Sequence, residues 1–257
     1  MVKKTAVIAP VLAFALLCAF CACTSCAAQI NGSLKGDGQA DLLIRAALEP
    51  RMTALIGGLA AASGAVQPGA AAPILDGPAI AASMSSAPGV ASASFKNTAP
   101  AAIEGPVKIA KIGDFLAAGG SQKASFINFE QNARGGAATG GAATSGRCTI
   151  NLSLASGPEI LALISPEISD YLSALMAPLA TGDALTKAEY LALVGSVYGR
   201  GIAGEISKAV IRASLEFPGP VQSAQGGTVS GRRADFAIPL LDILVLETPL
   251  SYEVVWR

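Results

Sequence analysis

Apolar and polar residues alternate at period two near both ends of the chain. Ala40, Leu42, Ile44, Ala46 and Leu48 are interleaved with Asp41 and Arg45. Ile211, Ala213, Leu215 and Phe217 alternate with Arg212, Ser214 and Glu216, and Ala234, Phe236 and Ile238 with Arg233 and Asp235. Tyr252, Val254 and Trp256 close the chain in the same rhythm. Successive strand side chains point to opposite faces, so these runs bury one face and wet the other. That is the signature of antiparallel sheet; parallel strands, covered on both faces, read as continuous apolar runs.

The stretch between the strands has helical spacing. Pro166 starts a helix after Ser165 as cap, with Ile168, Leu172, Leu175, Met176 and Leu179 as its apolar stripe. Thr186 and Glu189 form a capping box, and Tyr190, Leu193, Val194, Val197 and Tyr198 give the next helix its buried face. The chain therefore reads as α+β: an antiparallel sheet with a central block of two or three amphipathic helices packed on it.

Shorter elements fill in the rest. Ile30 to Lys35 and the Ala40–Leu48 run form a hairpin, with Gly36-Asp37-Gly38 supplying positive-φ positions at the turn. Pro50 opens a helix with Met52, Leu55, Ile56 and Leu59 at helical spacing. Val90–Lys96, Ser121–Asn128 and Cys148–Leu154 read as strands, and Lys111–Ala118 as a short helix. Two tracts of small residues, at about 60–89 and 133–147, read as low-complexity excursions, the first with a little helix near Ile80. Residues 23–257 form a single domain on this reading.

The first residues carry an address. Lys3 and Lys4 precede an uncharged apolar run from Ala6 to Phe20, and no charge follows until Lys35. A basic start followed by an apolar run of this length is a secretory signal. The alternative is an uncleaved amphiphilic anchor. Four of the five cysteines, Cys18, Cys21, Cys23 and Cys26, crowd at the end of the run, where a disulfide framework would spread them through the fold. The crowding resembles a bacterial lipobox, in which a small residue precedes the lipidated cysteine and an apolar one sits three before it. Cys23 follows Ala22, with Phe20 at the third position back. Cys26 follows Ser25, with Cys23 there. Residues 1–22 are then a lipoprotein signal peptide and Cys23 the acylated residue, with Cys26 as the alternative. Ordinary signal cleavage after Ala28 is the competing possibility.

Several chemistries are excluded. The chain has no histidine, so a Ser-His-Asp triad, a Cys-His dyad and a His-ligated metal or haem site cannot be built. Eighteen basic and eighteen acidic residues give a net charge of zero, with no global field to draw the chain to nucleic acid. The lone body cysteine, Cys148, sits on the apolar side of an alternating strand and reads as a small buried hydrophobe. Glu159, Glu167, Asp170 and Glu189 are candidate catalytic carboxylates, but each lies near a helix start, where capping accounts for it. The Ile238–Leu246 segment is too short to span a membrane and contains Asp242. No cofactor or metal site and no enzymatic activity are expected.

The segments Leu215-Glu216-Phe217-Pro218-Gly219-Pro220-Val221 and Gly226-Gly227-Thr228-Val229-Ser230-Gly231 are similar to the last hairpin of LppM-type bacterial lipoproteins. Those proteins also begin, after the lipidated cysteine, with a hairpin whose turn resembles Gly36-Asp37-Gly38. The resemblance covers the two ends of the chain. The central helical block and the missing C-terminal anchor depart from it. It implies an extracytoplasmic lipoprotein with an α+β body related to lipid-binding folds, and transfers no functional residue. The expected protein is held at a membrane of the cell envelope by N-terminal acyl chains, facing periplasm or exterior. It would be a binding module for a lipid, another apolar ligand or an envelope partner, or else a structural lipoprotein without a small ligand.

Overall fold

The computed structural model describes residues 28–62, 74–117, 126–133, 144–162 and 172–257. The chain is α+β. Strand β1 (Ala28–Leu34) turns back into β2 (Ala40–Ala47), with Ala28 opposite Ala46 and Leu34 opposite Ala40. Of the turn glycines, Gly38 has a positive φ of 82°. Helix α1 (Pro50–Ala62) follows and buries Met52 and Ile56.

Helix α2 (Gly77–Ser85) lies inside the first small-residue tract. Asp76 caps it by accepting the Ala79 N–H at 3.0 Å, and Met84 is buried beneath it. Residues 74–89 are thus part of the fold rather than an excursion, while residues 63–73 lie outside the described residues. The expected strand Val90–Lys96 is broken into β3 (Val90–Ala93) and β4 (Lys96–Ala99).

Strand β5 (Ala102–Ile109) was not legible in the sequence, because Gly105 and Pro106 interrupt it. It nevertheless pairs with β2 along its whole length, and with β3 and β4 on its other side. The two short strands pair with residues 107–109 and 102–104, and the chain between them bends past Gly105 and Pro106. Pro106 has no N–H to give, and its carbonyl accepts the Ser94 N–H.

Helix α3 (Ile112–Ala117) and strands β6 (Ile127–Ala133) and β7 (Thr144–Leu152) come next. Of the expected strand Ser121–Asn128, residues 121–125 lie outside the described residues and β6 carries Ile127 and Asn128, while β7 starts earlier than Cys148. They form the expected antiparallel hairpin, Ala133 opposite Thr144, around a segment outside the described residues. A 3-10 turn (Leu154–Ser156) and helix α4 (Gly157–Ala162) end this part.

The start expected for a helix at Pro166 lies outside the described residues. Its stripe does not run on to Leu179: Met176 takes φ 51°, and a new turn of helix, α5 (Pro178–Thr181), begins after it. Helix α6 (Lys187–Tyr198) starts at the Thr186–Glu189 capping box and buries Tyr190 and Val194. Val197, expected in that face, is 54% exposed. Helix α7 (Arg200–Lys208) follows at once. Strands β8 (Val210–Glu216), β9 (Val221–Gln225), β10 (Gly227–Ser230) and β11 (Arg233–Pro239), helix α8 (Leu240–Val245) and strand β12 (Leu250–Trp256) complete the chain. Helix α8 buries Leu240, Leu241, Ile243, Leu244 and Val245. Five of its six residues are apolar and buried, and α8 packs against α5, α6 and α7, with Asp242 held by Lys187 at 3.0 Å.

Two sheets result. The larger runs β10-β11-β8-β1-β2-β5-β3, with β4 beside β3 on β5; the smaller runs β6-β7-β12-β9. Among the described residues all pairs are antiparallel except β1 with β8. The chain crosses from the small sheet to the large one between β9 and β10. Trp256, fully buried at the end of β12, lies 5.0 Å from Phe217 and 5.9 Å from Phe129 between ring centroids. It joins the small sheet to the end of β8.

Candidate functional site

Cys23 and Cys26 lie outside the described residues, but the end from which the chain reaches them is defined. Ala28 is 2% exposed and registers between Ala46 of β2 and Ile211 of β8. Leu48, Glu49 and the first turn of α1 follow β2 at this end, and Lys208 and Ala209 precede β8 there. The other end of β1, at Leu34, carries the hairpin turn and Phe217.

An open cleft of about 550 Å³ is lined by Arg51, Ala54 and Leu55 of α1, by Tyr198, and by Gly201 and Ile202 of α7. Glu205 sets the crossing of the two helices by accepting the Met52 N–H at 3.1 Å in the first turn of α1. Gly201 then leaves room for Arg51: a Cβ there would stand 2.7 Å from Arg51 Nη1. Tyr198 donates its hydroxyl to the Ala174 carbonyl and turns its ring to the cleft. None of the ion pairs among the described residues engages Arg51 or Arg200. Sequence reasoning missed this cleft. Its one local signal is the Tyr198-Gly199-Arg200-Gly201 run, where two glycines bracket a charge at a tight helix-to-helix corner.

A second open cleft, about 380 Å³, lies at the Leu34 end among Ser33, Leu34, Lys35, Gly36, Glu216, Pro218 and Arg232. Its charges are already matched. Lys35 Nζ is 2.6 Å from Asp41, a contact that raises the lysine pKa and lowers that of the aspartate. Arg232 lies 3.6 Å from Glu216 and donates to the Phe217 carbonyl at 3.0 Å. An ionic ligand here would have to displace existing partners.

Of the candidate carboxylates, Glu159 and Glu189 lie among the described residues. Glu189 accepts the Thr186 N–H at 2.8 Å, which holds its pKa below the usual carboxylate range. Glu159 is exposed in the first turn of α4, and Glu167 and Asp170 lie outside the described residues. No group of three potential metal-ligating acids or cysteines occurs among the described residues.

Cys148 is a half-buried free thiol on β7, between Phe129 of β6 and Val254 of β12. Burial pushes its pKa up from 9.0 to about 11. The thiolate is the reacting form, so at pH 8 the native thiol should react with iodoacetamide about a hundredfold more slowly than in urea. Equal rates would contradict the packing. The raised native value also fixes a pH trend. The native state holds this proton more tightly than the unfolded chain, so the contribution of Cys148 to stability is fully present below about pH 9 and falls as pH rises toward 11.

Among the described residues, no helix is long and apolar enough to cross a membrane. No protein-family model matches the chain, and no curated protein matches it. Among solved structures, the chain is similar to the NMR structure of the folded domain of the Mycobacterium tuberculosis LppM protein. The match has 13% sequence identity, covers 90% of each chain and has a TM-score of 0.37. The LppM resemblance read at the two ends of the chain is therefore a weak one.

Proposed function

We propose that the chain is an extracytoplasmic lipoprotein, tethered to an envelope membrane by acyl chains on Cys23 (alternatively Cys26), with a non-enzymatic α+β body that acts as a binding module. The observation that carries the reading is the place of Ala28 inside the large sheet. Ala28 is a buried core residue paired on both sides. Ordinary signal cleavage after Ala28 would cut it from its strand, whereas processing at the lipobox cysteine leaves β1 whole. The apolar run ending in clustered cysteines supplies the processing signal. One acyl chain binds a bilayer reversibly, while the several of a lipoprotein hold it.

The ligand is proposed to be a lipid or another apolar molecule, or an envelope partner. A structural lipoprotein without a small ligand is the second reading, and it is favoured by the openness of both clefts and by a core whose largest side chains are fully buried. Two measurements separate these. The exported full chain should enter the detergent phase of a Triton X-114 partition, and Cys23→Ser should move it to the aqueous phase; unchanged partitioning would refute acylation at Cys23. Native mass spectrometry of the purified chain should show co-purified lipid under the first reading, and the bare acylated polypeptide under the second.

A further inference from the structure

We propose that the corner formed by α1, Val197–Gly201 and α7 is the face that docks on the anchoring leaflet, with Arg51 and Arg200 meeting anionic lipid headgroups. This deepens the tethering proposed above and rests on it.

The tether sets the orientation. Cys23 lies five residues before Ala28, and Cys26 two. A fully extended chain covers at most ~3.6 Å per residue, so the acylated residue sits within about 18 Å or about 7 Å of Ala28. The Ala28 end of the large sheet is therefore held at the bilayer. Arg51 belongs to that end: it is the second residue of α1, which starts just after β2, where Ala46 faces Ala28. The contact between Arg51 and Gly201 brings the α6–α7 corner to the same place.

The surface there suits a headgroup layer. Val197 is one of two exposed large hydrophobics among the described residues, and it directly precedes Tyr198, which lines the cleft. Arg51, Arg200 and Lys208 supply positive charge, and none of the ion pairs among the described residues engages either arginine. Glu49 and Glu205 are the acids of this corner, and Glu205 is spent on the Met52 N–H. Arginines around an apolar rim match phosphate at the headgroup level with acyl chain beneath. The cleft at the Leu34 end has its charges paired and lies away from the tether.

The test uses the exported, acylated chain reconstituted in phosphatidylcholine vesicles with and without 30% phosphatidylglycerol. A tryptophan reporter is placed at Val197→Trp, and a second variant places it at Val229→Trp, toward the Leu34 end of the sheet; buried Trp256 gives the constant background. Brominated lipids should quench and blue-shift the reporter at position 197 in the anionic vesicles and leave the one at position 229 unchanged. Arg51→Gln and Arg200→Gln should each lower the docked-to-undocked ratio about fivefold, and 0.5 M salt should reverse the quenching. Vesicles that float with bound protein while the position-197 reporter stays in water, or reporters quenched equally at both positions, would overturn the docking and leave the tether standing. Protein that fails to float would overturn both.

Discussion

Replacing Trp256 with alanine is expected to destabilise the protein by about 3–5 kcal/mol, the range for truncating a large buried aromatic. The side chain is fully buried and fills the space above Gly146, where an added Cβ would come within 2.2 Å of its ring. Its strand pairs with β7 and β9, and its ring stacks obliquely on Phe129 and Phe217. Truncation would open a cavity at the point where the small sheet meets β8. The indole Nε1 has no hydrogen-bond partner among the described residues. Trp256→Phe removes that orphan donor together with part of the ring, so its cost should be clearly smaller than that of alanine. Urea unfolding followed by circular dichroism reads both variants. A cost below about 1 kcal/mol for Trp256→Ala would contradict the packing of this corner.

The second large effect is expected at Gly105. A Cβ on this residue would stand 1.8 Å from the Ser94 carbonyl oxygen and 2.8 Å from Phe95 Cα. These are backbone atoms of the bend between β3 and β4, which cannot swing away as the tip of a side chain can. Gly105→Ala should therefore cost about 3 kcal/mol or more, at the upper end of overpacking changes. Gly204→Ala is the matched control. It lies within α7 with nothing within 4 Å of its added methyl. Alanine is about 1 kcal/mol better than glycine in a helix interior, so this variant should be neutral or stabilised. If both variants unfold at the same denaturant concentration, β3 and β4 do not lie against β5 as described.

The same residue explains what the sequence hid. Elements with an uninterrupted rhythm were legible: the β1–β2 hairpin, β8, β11, β12, and α6 with its capping box. Each repeats its pattern over enough residues to announce itself. Strand β5 was not legible, because Gly105 and Pro106 break its alternation. The structure tolerates them because no partner strand needs an N–H from Pro106, and because the neighbouring bend needs the space a side chain at Gly105 would take. Helix α8 was hidden for the opposite reason: five of its six side chains are apolar and buried, so no period stands out. Val197 was placed in the buried face of α6 by spacing alone, although at the end of that helix Tyr198 packs inward and Val197 is left in solvent.

The candidate site was less legible than the fold. The cysteine proposed to be acylated was named from local chemistry, since a lipobox is read along the chain. The Arg51 cleft depends on two helices about 150 residues apart in sequence, joined through Glu205 and Gly201. No local pattern encodes that crossing. Of the carboxylates near helix starts, Glu189 closes the capping box of α6.

Mass analysis of the N-terminal peptide of the exported full chain tests the tether most directly. The predicted result is a first residue Cys23, or Cys26 as the alternative, whose mass is raised by acyl chains, with Ala28 retained in every molecule. A peptide beginning at Gln29, or an unprocessed chain beginning at Met1 without added lipid, would contradict it.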